Sequence, residues 1–483
     1  MSWHPVYVDQ VLAPDYRFAD ENLLPHLRDA LIAHVMTVAA LPRVAGDAEA
    51  AAATDALLTT LRSSHGRRLP PRADDVPDAY FAINRELEAA LGADTVSFLR
   101  TGLSRNDLDM TIYKLAARER LLILLNQLQR LRSALISKAS AHLDTVMIAH
   151  THHQPGQPTS VAHYLAGVGA MLERDAERLE GALHRLNTCP LGAAALAGSS
   201  HPLDRHLTAS LLGFAKPVAN TYDAVSSSDW QIEIANAAAG LALNLSRFTC
   251  DLLAWSAGGT YRLSDSLVQG SSIMPQKRNP VSLEHARTRF SRAVGSTGQV
   301  LYSSHNIPFG DLNDVGPDIQ GALRQQHVQL HGGIELLIAC LDDGDFVREA
   351  LSRQARATDT TATELADELV RHHGVAFQEA HALVARAVAS ARTRGVALQD
   401  LTGEDLKDMG GPALDQAELS DALSPAAFIA RRAGHGGPAP AVMAVHLKDA
   451  GRKLEALEAR LAEFEAGLRT ARDILCAHKE ERE

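Results

Sequence analysis

A chain of 483 residues, 46% of them apolar, can bury a large core and has room for several domains. Its 47 Lys and Arg stand against 58 Asp and Glu, a net charge of −11, and no basic run carries interleaved aromatics, so nucleic acid is not an expected partner. The most apolar tract, 234–245, falls well short of the roughly 20 residues a membrane span needs and runs into Arg247 and Asp251.

Residues 1–20 have neither a basic flank nor an apolar stretch, so no secretory signal is expected. Cys189, Cys250, Cys340 and Cys476 are far apart and lack metal-ligand spacing. They suit a reducing cytoplasm, and neither a metal nor a disulfide framework is expected.

In chain order, 23–41, 47–61 and 79–91 read as helices, with a basic, Pro-containing loop over 62–72 and no strand-like alternation of any length. At Ser104 the character changes. Ser104, Asn106 and Asp107 are N-cap types, and Leu108, Ile112, Leu115, Leu122, Leu125 and Leu128 recur at helical spacing, with no proline before Pro155. The spacing predicts a helix of roughly 35 residues, about 50 Å long. Apolar residues on every face around 121–125 place it inside a bundle.

A second rod starts after Pro158, capped by Thr159 or Ser160. Others cover 228–257, 281–303 and the stretch from about 318 to 341. Beyond 345 the helices shorten (361–373, 376–393, 401–409), and a Gly- and Pro-rich loop at 434–440 leads to a charged helix running to 483. The expected organisation is all-α in three parts: an N-terminal helical domain (1–103), a central long-helix domain (104–352) and a small C-terminal helical domain (353–483).

Three polar stretches interrupt the rods. They are Thr101-Gly102-Leu103-Ser104-Arg105-Asn106-Asp107, Thr151-His152-His153-Gln154-Pro155-Gly156-Gln157-Pro158, and Gly270-Ser271-Ser272-Ile273-Met274-Pro275-Gln276-Lys277-Arg278-Asn279-Pro280. Each is expected at the end of a long helix. The third reads as a mobile lid with a hydroxyl at one end and a cation–amide pair at the other. It is no phosphate loop, because Gln276 precedes Lys277 and Arg278 follows it.

Taken singly, each stretch has a plain structural explanation. Ser271 and Ser272 are ordinary loop residues, Lys277 and Arg278 a solvated pair, and Asn106 and Asp107 helix caps. His150, His152 and His153 read as helix-end caps or as a zinc pair lacking a spaced third ligand.

Together, in this order and spacing, the stretches resemble those of the aspartase/fumarase superfamily, most of all its argininosuccinate lyase branch. Pro190-Leu191-Gly192, Asp223 with Ser226 and Asp229, and Ala362-Thr363-Glu364-Leu365-Ala366 extend the resemblance over nearly the whole chain. The resemblance implies a homotetramer with a twenty-helix core. Each active site would take its three stretches from three subunits, act on a small-molecule substrate and use no cofactor.

The reaction it implies is an anti β-elimination that releases fumarate from a substituted succinate. Ser271 would be the base that takes the carbon proton. His152, with Glu284 as its carboxylate partner, would move a proton at the leaving group. Lys277 and Asn279 would hold the carboxylate that gains charge. Arg105, Asn106, Thr151, Ser104, Ser272, Gln157 and Met274 would bind substrate.

Departures cluster where argininosuccinate lyases recognise their own substrate. Leu103 stands in place of Arg, Leu31 of Ser, Phe81 of His and Ser228 of Arg. An ungapped match puts Pro308, Asn313 and Gly316 where that branch has Tyr, Gln and Lys. The reading is a C–N lyase for an N-substituted aspartate other than argininosuccinate, with relatives that cleave diamine–succinate conjugates as precedent. A genuine argininosuccinate lyase is the alternative within the branch. A structural, crystallin-like protein is the alternative of another class, against which the retained Ser271, Lys277, Asn279, His152 and Glu284 weigh.

Overall fold

The computed structural model describes residues 3–477. Ahead of Ser104 it contains α1 (Ala13–Asn22), α2 (Leu24–Ala39), α3 (Ala48–Ser63) and α4 (Ala79–Leu91). The last three follow the sequence pattern. Helix α1, entered through a π-helical turn at Val8–Leu12, does not. Its Pro14 follows directly on that turn within one unbroken helical run, so a carbonyl one turn back lacks the N–H it would otherwise accept. Asp47 caps α3 by accepting from Glu49 N at 2.9 Å, and Asp78 caps α4 by accepting from Phe81 N at 3.1 Å.

Five rods follow: α5 (Arg105–Ala141), α6 (Val161–Leu186), α7 (Asp229–Ala257), α8 (Val281–Ser303) and α9 (Pro317–Asp342). Helix α5 runs for 37 residues. Ser104 Oγ accepts from Asn106 N at 3.4 Å, while Asp107 accepts from Ser104 N at 3.1 Å, a reciprocal cap. Leu108, Leu121, Leu125, Leu128 and Leu131 are all buried, but Ile123, in the middle of the all-round apolar run, is 38% exposed, so within one chain the rod is covered on most faces and not on all. Helix α5 packs on α6 and α9, α6 on α7, and α8 lies between α7 and α9.

The α8–α9 approach is set by Gly333, where a Cβ would stand 2.6 Å from the Phe290 ring. Gly333→Val should therefore lower stability by about 1–3 kcal/mol through overpacking. An unchanged urea midpoint would show that the two helices separate freely.

After the rods, α10 (Ala362–His373) and α11 (Phe377–Arg394) belong to a separate small core that includes Leu365, Leu369, Leu383, Ala387, Leu406 and Leu419. The last helix, α12 (Pro440–Cys476), lies along α5 and α6. Lys453 reaches Glu173 at 2.8 Å and Arg460 reaches Glu180 at 2.7 Å, both on α6. The expected continuation over 478–483 lies outside the described residues.

Between α5 and α6 the chain forms a hairpin, β1 (Val146–Thr151) antiparallel to β2 (Gln154–Ser160). Thr151 pairs with Gln154, so His152 and His153 alone make the turn, at φ 52° and 61°. Two positive φ values in a two-residue loop fit the right-handed twist of the strands. The expectation of helix-end histidines is thus corrected: they sit on a strand turn. No glycine marks it, and histidine is among the residues that tolerate this backbone region.

Candidate active site

At the start of α5, Ser104 Oγ donates to Asn106 Oδ1 at 2.5 Å, and Asn106 Nδ2 donates to the Asp311 carboxylate. Arg105 pairs with Asp78 at 3.0 Å. Asp107 is fully buried and accepts from Gly192 N (2.8 Å), Ala194 N (2.9 Å) and Ser104 N (3.1 Å). It fastens the first polar stretch to the turn around 190–198. Burial pushes its carboxyl up to about 7, and the three amide donors pull the other way.

Thr151, His152 and Gln157 lie exposed on the hairpin and make no side-chain hydrogen bonds among the described residues; its His150 Nδ1 meets Ile148 O at 3.0 Å. The third stretch is a loop closed at its neck, where Gln269–Gly270 pairs antiparallel with Arg278–Asn279. Arg278 is used up there, paired with Asp265 and donating to Leu263 O at 2.9 Å. Above the neck, Ser271 Oγ accepts from Met274 N at 3.1 Å and Ile273 N at 3.4 Å, and Lys277 N donates to Met274 O at 3.0 Å. Ser272, Met274 and Lys277 are exposed, Ser271 and Asn279 half-buried. Glu284 is exposed in the first turn of α8.

Among the described residues, no hydrogen bond or ion pair joins any two of the three stretches. The first two flank α5, whose 37 residues make a rod of roughly 55 Å. The hairpin arm spans only about 20 Å. One chain therefore does not bring Arg105 and His152 to one small substrate.

Beside Arg105 lies a cavity of about 470 Å³, walled by the N-terminal segment, α1, the cap of α4, the start of α5 and the first turn of α9. Asp15, Asp78, Asp109, Tyr113, Asn313 and Asp318 line it. Sequence reasoning missed all of these but Asn313. One signal was available: Arg105, Asp109 and Tyr113 recur every four residues, on one helix face. Burial pushes Asp109 up to about 7, with Arg105 opposing and Asp78 adding. Of the departures from the argininosuccinate lyase pattern, Asn313 alone lines this cavity, and Leu31 is wholly buried in the core.

A family model described as "Lyase" matches residues 29–295, and one described as "Argininosuccinate lyase C-terminal" matches 359–430. The chain is 34% identical to argininosuccinate lyase 2 of Agrobacterium fabrum over 473 residues, 94% of this chain and 92% of that one. The chain belongs to the argininosuccinate lyase-like branch of the fumarase/aspartase superfamily.

To the argininosuccinate lyase of a Synechococcus species this lyase is 38% identical over 422 residues, 86% of this chain and 88% of that one. An EDDS lyase crystallised with formate superposes with a TM-score of 0.85 at 26% identity, covering 98% of this chain and 95% of that one. The class II fumarase of Schistosoma mansoni, at 18% identity and a TM-score of 0.69 over 84% and 90% of the two chains, shares the fold. The chain is a fumarate-releasing carbon–nitrogen lyase. No helix among its described residues is long and apolar enough to cross a membrane.

The Asp107 clamp makes a direct prediction. Asp107→Ala leaves three buried amide donors without their acceptor, at a cost of roughly 3 kcal/mol. Chemical denaturation measures it, and a loss below roughly 1 kcal/mol would mean that other acceptors take over.

Proposed function

We propose that this lyase eliminates fumarate from an N-substituted aspartate other than argininosuccinate, in a homotetramer whose sites each combine stretches from different subunits. The observation that carries the proposal is the separation of Arg105 from the hairpin by the length of α5. The retained chemistry of each stretch makes sense only if another copy supplies what its own chain holds too far away. The division into parts 1–103, 104–352 and 353–483, and a place in the cytoplasm, go with this reading.

Ser271 takes the proton from the carbon beside the substrate carboxylate. The electron pair left behind forms the carbon–carbon double bond, and the carbon–nitrogen bond breaks. His152, oriented by a partner's copy of Glu284, hands a proton to the departing nitrogen. Fumarate and the free amine leave.

A neutral serine is a weak base. Two backbone N–H groups already point at Ser271 Oγ, and hydrogen bonds to the charged form favour it. Lys277 and Asn279 then meet the charge that builds up on the carboxylate. Arg278, which stands between them in sequence, is held at the neck by Asp265 and Leu263 O and leaves the other two free for that role. Arg105, Asn106, Ser104, Thr151, Gln157, Ser272 and Met274 hold the rest of the substrate.

Two measurements test this. Ser271→Ala should lose at least about 10²–10⁴-fold in turnover, followed by the ultraviolet absorbance of fumarate, while size-exclusion chromatography still reports a tetramer. Near-native rates would remove Ser271 from the mechanism. The unmodified lyase should split argininosuccinate poorly. A kcat/KM at or above about 10⁴ M⁻¹ s⁻¹ on that compound would make it an ordinary argininosuccinate lyase.

A further inference from the structure

The cavity beside Arg105 is anionic in an unbalanced way. Asp78 has Arg105 as its partner at 3.0 Å. Asp15, Asp109 and Asp318 make no ion pair and no side-chain hydrogen bond among the described residues, although all three line the same space. Tyr113 lines it too. The residue is only 5% exposed, and its hydroxyl has no hydrogen-bond partner among the described residues. That oxygen is not among the sealed, unpaired atoms of the chain, so it opens on the cavity. A largely buried tyrosine whose hydroxyl faces a cavity without a protein partner offers a ligand a hydrogen-bonding group.

Building on the elimination reading, we propose that this cavity receives the leaving amine. The amine is a diamine or longer polyamine whose second, unreacting ammonium group sits among Asp15, Asp109 and Asp318.

Each of these carboxyls has a further carboxyl near it. Asp15 is raised by burial and by Asp318, Asp109 by burial and by Asp78 and Asp311, and Asp318 by burial and by Asp314. An organic cation relieves that repulsion along its length. A single metal ion does not fit the spacing, since no group of three or more His, Cys, Asp or Glu among the described residues could hold one. Aromatic rings line the cavity as well. Trp3 and Tyr7 have ring centroids 5.8 Å apart, and Tyr80 lies nearby, so an alkylammonium chain meets ring faces as well as charge. The volume, about 470 Å³, is in the range of small-molecule sites. Tyr113 supplies an acceptor for an ammonium N–H. An amine carrying a carboxylate, such as an amino acid, is disfavoured by like charge.

The test has two arms. In the first, the full-length lyase is incubated with fumarate and 1,4-diaminobutane, n-butylamine or arginine, and adducts are quantified by mass. The expected result is a kcat/KM for the diamine at least tenfold above that for the monoamine. Asp109→Asn with Asp318→Asn should shrink this preference to within about twofold. In the second arm, calorimetry follows binding of 1,4-diaminobutane to the lyase without fumarate. The double variant should weaken it at least tenfold, and Asp15→Asn serves if the double variant does not fold.

Equal use of diamine and monoamine by the unmodified lyase, or unchanged diamine affinity in the variants, overturns the amine assignment and leaves the elimination reading standing. Absence of any adduct, together with carboxylate-dependent diamine binding, sinks the elimination reading and keeps the cavity's preference for dications.

Discussion

The rest of the molecule is arranged around a long helix that is buried on most of its faces. Helix α5 carries Leu108, Leu121, Leu125, Leu128 and Leu131 at essentially no accessibility. Leaving one such side chain in water instead of burying it costs about 1.5–3 kcal/mol. Those faces must be covered, and α6, α9 and α12 cover them, leaving a stripe through Glu119, Ile123, Asn126 and Arg130 exposed. A rod so enclosed is stiff, and its ends are held apart by its length. Polar groups placed at the two ends cannot collaborate within one chain, so the geometry of catalysis follows from the packing of a core far from any substrate.

Polar residues at the rod ends are fixed by different means. At the start of α5 a buried carboxylate gathers three amide donors and locks the loop around Gly192 against the helix. The price of that burial is visible in the upward push on Asp107. At the 270–280 loop the restraint is a two-residue ladder and one arginine. The residues beyond it are solvated, Ile273 to 84%. The first stretch is built to stay, and the third is built to move.

Much of the fold was legible because it rests on period. The leucines from Leu108 to Leu128 give a helix whatever surrounds them, and Ser104 with Asp107 marks where it begins. The hairpin was not legible. Strand β2 contains Pro155 and Pro158, which argue against sheet, and the turn uses two histidines where glycine or asparagine would have announced it. The same gap hid the cavity. Asp15, Asp78, Asp109 and Asp318 come from four separate segments, and only the fold places them around one space. Ser271, Lys277 and Asn279 were visible because their chemistry is packed into eleven consecutive residues.

The prolines of β2 have a further effect. A two-stranded ribbon standing alone presents an open edge on each side, the usual starting point for chains to zip together in the wrong way. Pro155 and Pro158 remove two amide donors from a strand of seven residues, and the bulge between Ala149 and His150 breaks the register of its mate. A ribbon disabled in this manner offers little for a third strand to join. The same two prolines that conceal the strand in the sequence thus also blunt its edge in the fold.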